Sequence, residues 1–570
     1  MPISPSYPGL YIEELQSSVH TITAAPTSVT VFIGYTHPFK TDPAKLKQAV
    51  EIFSFADYQR LFGGFFKSSA FDAQSAEFGD VAQAVNQFFL NGGADAFVVA
   101  LKATKNGLPL NPGVSAWLGP LQFTAREITD DQHILTIAIT NVDVTGSPPS
   151  GDDTCDVTIT FGPPVGSALS GYGVVVETYR QVSLNQYLAS GKPNSNYIAT
   201  RIGTPTAPVS ALVTVNVDLS RGLLQATSTN SPLAIPAILS GGDQIFQAAD
   251  FTAVLQADSS LDKLPIFNLM VIPGVTDGAA SSVLATASAF CERKRAFLIM
   301  DPPQDNSADG SGVAAPNSTA TSPDLPLIEQ TKDGDNSPQE LIPTSKNSAL
   351  YFPYLLSNDP VTGLAINPIT NQPYEIPPSG TVAGIFANTD LNRGVWKAPA
   401  GLETLLTNVS DVVNRGRMSD QRQGVLNLLG INCIRNFPGI GPVVFGARTS
   451  VADNPSYQQW KYVPVRRMAL FLEQTLYANL GWVVFEPNDE PLWNAIKSSI
   501  ESFMLGLFRQ GAFQGSTPSQ AFQVKCDSQT TTQDDINNGI VNIVVAFAPL
   551  KPAEFVVIQI AQLAGQTQTS

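Results

Sequence analysis

Apolar and polar positions change their period several times along the 570 residues, and each change marks an element. Residues 29–33 form a short continuous apolar run. Val81, Val85, Phe88 and Phe89 then recur at helical spacing over 80–90, and Asn91-Gly92-Gly93 ends that pattern with residues that tolerate positive φ. Residues 96–101 are apolar again, so the order strand, helix, strand predicts a βαβ unit with its sheet covered by the helix. Between 106 and 239 the period shortens to two, with the clearest strands at 134–142, 155–161, 173–179 and 211–217, which predicts an inserted β-sandwich or barrel. From Gly241-Gly242-Asp243 longer apolar runs return: a helix over 251–256, a strand over 266–272, a helix over 279–294 and a strand over 296–300. Continuous apolar strands alternating with helices predict a parallel sheet.

Residues 301–347 are dominated by Ser, Asp, Pro, Gly and Asn and read as a long exposed loop before 349–355 rejoins the sheet. The last third predicts a glycine-punctuated helix start at 380–384, a strand at 443–447, a helix over 466–480 and a strand at 482–486. Asn488 is the expected cap of the next helix, which reaches Gln510; Asp489 and Glu490 suit its positive end, and Leu492, Ile496, Ile500, Phe503 and Leu507 form its buried stripe. Two β-runs close the chain, 540–548 and 554–560, before a polar tail. The other end mirrors this, with an extended arm over 7–15 separated by the polar run 16–27 from the first solid strand. Strands so near the chain ends are free to pair with a sheet edge elsewhere, which points to a polymer and away from an enzyme.

Composition narrows the chemistry. The chain is too long for one core, and only 14% of its residues are charged. A formal charge of −16 works against phosphate binding, and the longest basic cluster, Arg293-Lys294-Arg295, reads as a solvated helix end, so no nucleic-acid partner is expected. Cys155, Cys291, Cys433 and Cys526 lack CxxC spacing and read as buried reduced thiols. There is no secretory signal pattern and no apolar run of membrane-spanning length, so the expectation is assembly in the bacterial cytoplasm without membrane insertion. His20, His37 and His133 are too dispersed to supply a Ser-His-Asp constellation, and the glycine pairs at 63–64, 92–93 and 241–242 lack the spacing and Lys of a phosphate loop. Asp301, followed by Pro302-Pro303, reads as a loop-starting turn residue; Glu13-Glu14 and Asp534-Asp535 read as surface contacts or caps. For Arg466-Arg467 a local salt bridge is favoured over a bridge between subunits. No catalytic, cofactor or metal site is expected.

Five segments, Pro8-Gly9-Leu10-Tyr11-Ile12-Glu13-Glu14, Gly394-Val395-Trp396-Lys397-Ala398-Pro399-Ala400, Tyr462-Val463-Pro464-Val465-Arg466-Arg467, Phe485-Glu486-Pro487-Asn488-Asp489 and Thr532-Gln533-Asp534-Asp535, carry a resemblance. The chain resembles the sheath subunit of contractile phage tails and phage-tail-like injection systems, most closely toward its two ends and least in the β-rich stretch. The resemblance implies a multidomain α/β fold. Its parts would be an N-terminal arm (1–27), a sheath core contributed by both chain ends (28–105 and 436–548), a surface-exposed inserted all-β domain (106–240), a subtilisin-like α/β domain (241–435) and a C-terminal arm (549–570). It further implies a homo-oligomer of stacked six-membered rings around an inner tube protein, with baseplate and terminal cap proteins as partners. The strands exchanged between subunits would hold Leu10, Tyr11, Ile12, Glu13, Glu14 and Leu15 at one end and Phe555, Val556, Val557, Ile558 and Ile560 at the other. The receiving sheet would contain Ile543, Val544 and Val545, and Lys497, Glu501 and Arg509 would face the inner tube. The rival reading is an α/β-hydrolase-like enzyme with a β insert. Within the sheath class, a phage virion, a tailocin, a type VI apparatus and an extracellular injection system are alternatives, and the Tyr7-Pro8-Gly9-Leu10-Tyr11 start resembles the phage-tail and extracellular types more than the type VI sheath.

Overall fold

The computed structural model describes residues 20–65, 81–102, 112–127, 129, 134–143, 153–163, 174–227, 232–237, 247–275, 282–302, 343–360, 363–366, 373–413 and 419–559. The chain divides into two compact units, one of residues 25–392 with 399–466, the other of residues up to 24, 393–398 and 467 onward. The polar loop expected over 301–347 falls mostly outside the described residues.

In the larger unit the continuous apolar runs become an eight-stranded sheet in the order Gly441–Val444, Ile431–Phe437, Ser348–Phe352, Phe297–Met300, Leu269–Val271, Thr30–Tyr35, Ala96–Leu101 and Ala49–Ile52. Neighbouring strands run parallel from Ile431–Phe437 to Ala96–Leu101, and only the two outermost pairings are antiparallel. Thr30–Tyr35 is buried at every residue, as a strand must be when helices cover both faces. It pairs with Leu269–Val271 on one side and Ala96–Leu101 on the other, so the stretches 28–105 and 241–435, expected as separate parts, share one sheet.

On one face Ile33, Met270, Leu298 and Leu350 pack with Phe251 of the helix Ala248–Val254 and with Leu284 and Phe290 of the helix Val283–Lys294. On the other, Phe88 of the helix Val81–Leu90 meets Phe32 at 5.5 Å, and Phe386 of the helix Ser379–Arg393 lies 6.3 Å from Phe297 and 6.1 Å from Tyr351. Two glycines set how closely the helices of this second layer approach. A Cβ on Gly380 would sit 2.6 Å from both Cα and O of Ala84, and one on Gly384 would sit 2.6 Å from the Phe88 carbonyl oxygen.

Asp301, read from sequence as a turn residue, has a different role. It ends the strand Phe297–Met300 as a buried side chain that accepts hydrogen bonds from Ser379 N (2.7 Å), Ser379 Oγ (2.6 Å) and Gly274 N (2.9 Å). The carboxylate thus satisfies the first N–H of the helix Ser379–Arg393 and that of Gly274, while burial pushes it up to about 6 against the lowering effect of these donors.

The alternating stretch forms an antiparallel sheet of Leu233–Ile235, Ile134–Asp143, Thr154–Gly162 and Val175–Ser183, with a second ribbon of Leu121–Ala125 and Val213–Val217. Their inward residues, among them Phe123, Ile137, Ile159 and Val215, share one apolar cluster. The loop after Thr30–Tyr35 contributes Phe39 to that cluster, its ring 4.4 Å from Phe161.

The smaller unit is built on the helix Glu490–Arg509. The expected stripe of Leu492, Ile496, Ile500 and Leu507 is buried, joined by Trp493 and Met504, with Phe503 half-buried. Asp489, and not Asn488, is its N-cap, accepting from Leu492 N. Asn488 instead accepts from Trp493 Nε1 (2.9 Å) and donates to the Ile540 carbonyl (3.0 Å). The strand expected at 482–486 is absent; Gly481–Val483 is a single 3-10 turn, followed by Phe485 at φ +74°. The expected β-run over 540–548 narrows to Val544–Phe547, paired antiparallel with Phe522–Lys525, a strand that sequence reasoning missed.

Two outcomes check this packing. Gly380→Val should lower the urea midpoint by about 1–3 kcal/mol of stability, because the added carbons overlap Ala84 backbone atoms that cannot rotate away. For Asp301, a carboxyl raised in the folded state above its unfolded value of about 3.9 contributes stability that is complete below that value and is lost as pH rises through about 6. The stability difference between the unsubstituted chain and Asp301→Asn should therefore shift against the unsubstituted chain by up to roughly 3 kcal/mol between about pH 4 and 7, and a flat difference would refute the assignment.

Candidate functional site

Among the described residues no three His, Cys, Asp or Glu side chains cluster as a metal site would require, and no helix is long and apolar enough to cross a membrane. The sheet does have the place where doubly wound folds bind ligands. Its connections diverge between Thr30–Tyr35 and Leu269–Val271. Groups there are engaged in packing. His37 is buried, its Nδ1 accepts from Phe39 N (3.2 Å) and Lys40 N (3.3 Å), and its ring lies 5.7 Å from Phe161. Asp301 is committed to Ser379 and Gly274. His20 belongs to the smaller unit, and His133 lies outside the described residues.

The other singled-out polar groups are also used locally. Arg466 Nε donates to Asn347 Oδ1 (2.8 Å), and its guanidinium lies 4.8 Å from the Trp460 ring centroid; Arg467 is buried. Asp535 closes a capping box with Thr532 at the start of Gln533–Asn537. Arg293 pairs with Asp262 at 3.0 Å, and Lys294 Nζ donates to the carbonyls of Asp262 and Leu264. All four cysteines are free and buried, and burial raises each thiol well above the ordinary range, so none is poised to react.

What remains open is backbone and apolar surface in the smaller unit. Val544 and Val545 lie in the ribbon strand Val544–Phe547, with Ile543 just before it. Ala548 N donates to the Ala521 carbonyl at 2.8 Å, so by antiparallel alternation 523/546 and 525/544 are the hydrogen-bonded pairs. The N–H and C=O groups of Val545 and Phe547 on one strand, and of Val524 on the other, therefore turn away from the ribbon. The inward side chains Phe522, Val524, Val545 and Phe547 pack on the unit's core, so a strand added to either edge would extend an already anchored sheet.

Downstream, the run expected as a strand over 554–560 carries no secondary structure through residue 559. Phe555, Val556, Val557 and Ile558 are 74–82% exposed, and Ile560 lies outside the described residues. Leu10, Tyr11, Ile12, Glu13, Glu14 and Leu15 also lie outside them. The root of that arm is described: the His20 ring stacks on Trp482 at 3.9 Å, Thr23 N donates to Asn479 Oδ1 (3.0 Å), Asn479 Nδ2 donates to Thr23 O (2.8 Å), and Ile22 is buried in the core of the same unit. Lys497 and Glu501 form an i,i+4 pair at 4.0 Å on the outer side of Glu490–Arg509, and Arg509 is exposed in its last turn.

Comparisons with known proteins point to the tail sheath family. The model of the phage tail sheath protein central domain matches residues 255–450, and that of the phage tail sheath C-terminal domain matches residues 456–562. A tail sheath protein of Vibrio phage KVP40 is 26% identical over 189 residues, 31% of this chain and 25% of the phage protein. A major tail sheath protein assigned to a prophage of Pseudomonas aeruginosa (strain UCBPP-PA14) is 27% identical over 322 residues, 56% of this chain and 70% of its own length. The fold is similar to that of the PVC sheath complex of an extracellular contractile injection system in its contracted state, at TM-score 0.54 and 20% identity, covering 98% of this chain and 99% of the other. It is also similar to the helical sheath of the anti-feeding prophage in its contracted state, at TM-score 0.53 and 21% identity, covering 98% and 100%. With two successive domain models matched over more than half of its residues, the chain belongs to the phage tail sheath protein family.

Proposed function

We propose that this chain is the structural subunit of the contractile sheath of a phage-tail-like injection system. Subunits polymerise as stacked hexameric rings around an inner tube, and contraction drives the tube through a target envelope. The observation that carries this reading is the β-ribbon with outward-turned backbone groups in the same unit as an uncovered apolar terminal run, in a chain of the sheath family.

Strand exchange connects the two features. Leu10–Leu15 and Phe555–Ile560 leave their own subunit and add to the ribbons of neighbours, with Ile543, Val544 and Val545 in the receiving sheet. An extended segment covers about 3.3 Å per residue, so the ten residues from Pro549 to Ile558 reach roughly 33 Å, enough to leave one domain and enter the next. Each backbone bond gained contributes about 0.5–1.5 kcal/mol net, and each large apolar side chain removed from water about 1.5–3 kcal/mol. These bonds are indifferent to side-chain identity, so they can persist while the domains around them rotate.

The free energy of contraction resides in contacts between subunits made only in the contracted state, with the extended state held by a kinetic barrier, so the chain needs no nucleotide or metal of its own. Lys497, Glu501 and Arg509 form the face toward the inner tube, baseplate and terminal cap proteins close the two ends of the sheath, and the all-β domain of 106–240 sits outermost. The subtilisin-like outline of 241–435 carries architecture and no hydrolytic chemistry. The fold likeness to the sheath of an extracellular contractile injection system supports a phage-tail-like particle assembled in the cytoplasm, with a myophage virion or a tailocin as the alternatives.

Deleting the residues after Pro552, or residues Met1 to Gln16, should leave a monomer with unchanged circular dichroism that forms no tubes by electron microscopy. Intact tubes from both deletions would sink the strand-exchange mechanism.

A further inference from the structure

One residue of the smaller unit is placed against the ordinary rules of folding. Phe485 is fully exposed and sits at φ +74°, a conformation that costs a bulky L-residue energy and that glycine or asparagine would adopt more readily. Its surroundings are fixed on both sides. Val484 N donates to the Gly481 carbonyl and Glu486 N to the Val483 carbonyl, closing the turn before and around it. Asp489 N donates to Pro487 O, and Asn488 holds Trp493 on one side and the Ile540 carbonyl on the other. The aromatic ring is therefore presented to solvent from a rigid, strained loop, with Val484 beside it 62% exposed. Nothing within the fold is gained from a phenylalanine there. A rigidly offered aromatic side chain is the usual form of an interface anchor.

Asn488, three residues after Phe485, donates to the Ile540 carbonyl, and Ile540 stands four residues before the ribbon strand Val544–Phe547 on which strand addition is proposed. Ile540 and Val544 are themselves exposed. The same chain carries an apolar run with no cover of its own, Phe555 to Ile558, present in equal number to the surface that lacks a partner. A surface and its complement on different parts of one chain make a head-to-tail contact between copies.

We propose that Phe485 is the side-chain anchor of subunit exchange, packing with Val484 and Ile540 against the apolar face of the C-terminal run of a second copy of this chain. This rests on the sheath reading and adds to it a side chain that fixes the seating of the incoming strand, which backbone bonds alone leave free to slip by two residues.

The test compares the unsubstituted full-length chain with Phe485→Gly and Phe485→Leu, reading monomer thermal unfolding at low concentration and the critical concentration for tube formation without the tube protein. Phe485→Gly should unfold at the same or a higher temperature, because the strain at φ +74° is relieved, while its critical concentration rises about tenfold or more. Phe485→Leu, which retains apolar bulk, should recover most of the assembly. Equal critical concentrations for all three chains would overturn the assignment of Phe485 alone. Tube-free assembly unchanged in Phe485→Gly, with loss only of co-assembly on the inner tube, would overturn it in favour of the tube as occupant. Failure of the unsubstituted chain to form tubes under either condition would overturn the sheath reading beneath it.

Discussion

A strand that has a neighbour on one side only leaves the N–H and C=O of alternate residues aimed at solvent. The ribbon of Phe522–Lys525 and Val544–Phe547 carries that deficit at Val545 and Phe547, while Val524 on the other strand is buried. Its inner side chains are locked into a core with Trp493, Ile496 and Ile500, so the ribbon cannot fold away to hide its edges. Beyond it the chain continues through a run of four large apolar residues that its own unit does not cover. A monomer with both features leaves backbone groups of the ribbon turned outward and an apolar run exposed to water.

The larger unit has the opposite character. Its central strands are paired on both sides and covered on both faces, and its helices are brought together so closely at Gly380 and Gly384 that a single methyl group does not fit. Asp301 bonds to backbone groups that follow two different strands and start a helix, holding the carboxyl ends of the sheet fixed. In an enzyme that end of the sheet is kept open for substrate; here its groups are committed to packing, with His37 and Phe39 against Phe161. The described groups at that end of the sheet are thus taken up by packing.

The sequence displayed most of this where the signal is local. Period-two alternation gave the strands around Ile137 and Ile159, and continuous apolar runs gave the parallel strands. What it hid was non-local or ambiguous. The bond from Val29 N to Asn268 joins residues 239 apart, and no local pattern announces that the first strand and the strand at Leu269 are neighbours. Asp301 was misread for the same reason, since its partner Ser379 is 78 residues away while Pro302-Pro303 beside it signals a turn. The run Trp482-Val483-Val484-Phe485 has strand composition, yet Gly481 and Pro487 bracket it and the left-handed Phe485 breaks it. Phe522–Lys525 escaped notice because four residues with one fully buried side chain leave too short a pattern to detect. The strand Val544–Phe547 was legible as part of a β-run near the chain end; the partner strand that anchors it was not.

The most direct test of the account is a helical reconstruction of the polymer formed by the purified chain, at a resolution that separates strands in the smaller unit. The account predicts that the ribbon of Phe522–Lys525 and Val544–Phe547 is continued on its edges by extended segments from neighbouring subunits, one of them containing Phe555 to Ile558. A polymer in which the ribbon remains two-stranded and the C-terminal run lies on its own subunit would contradict it.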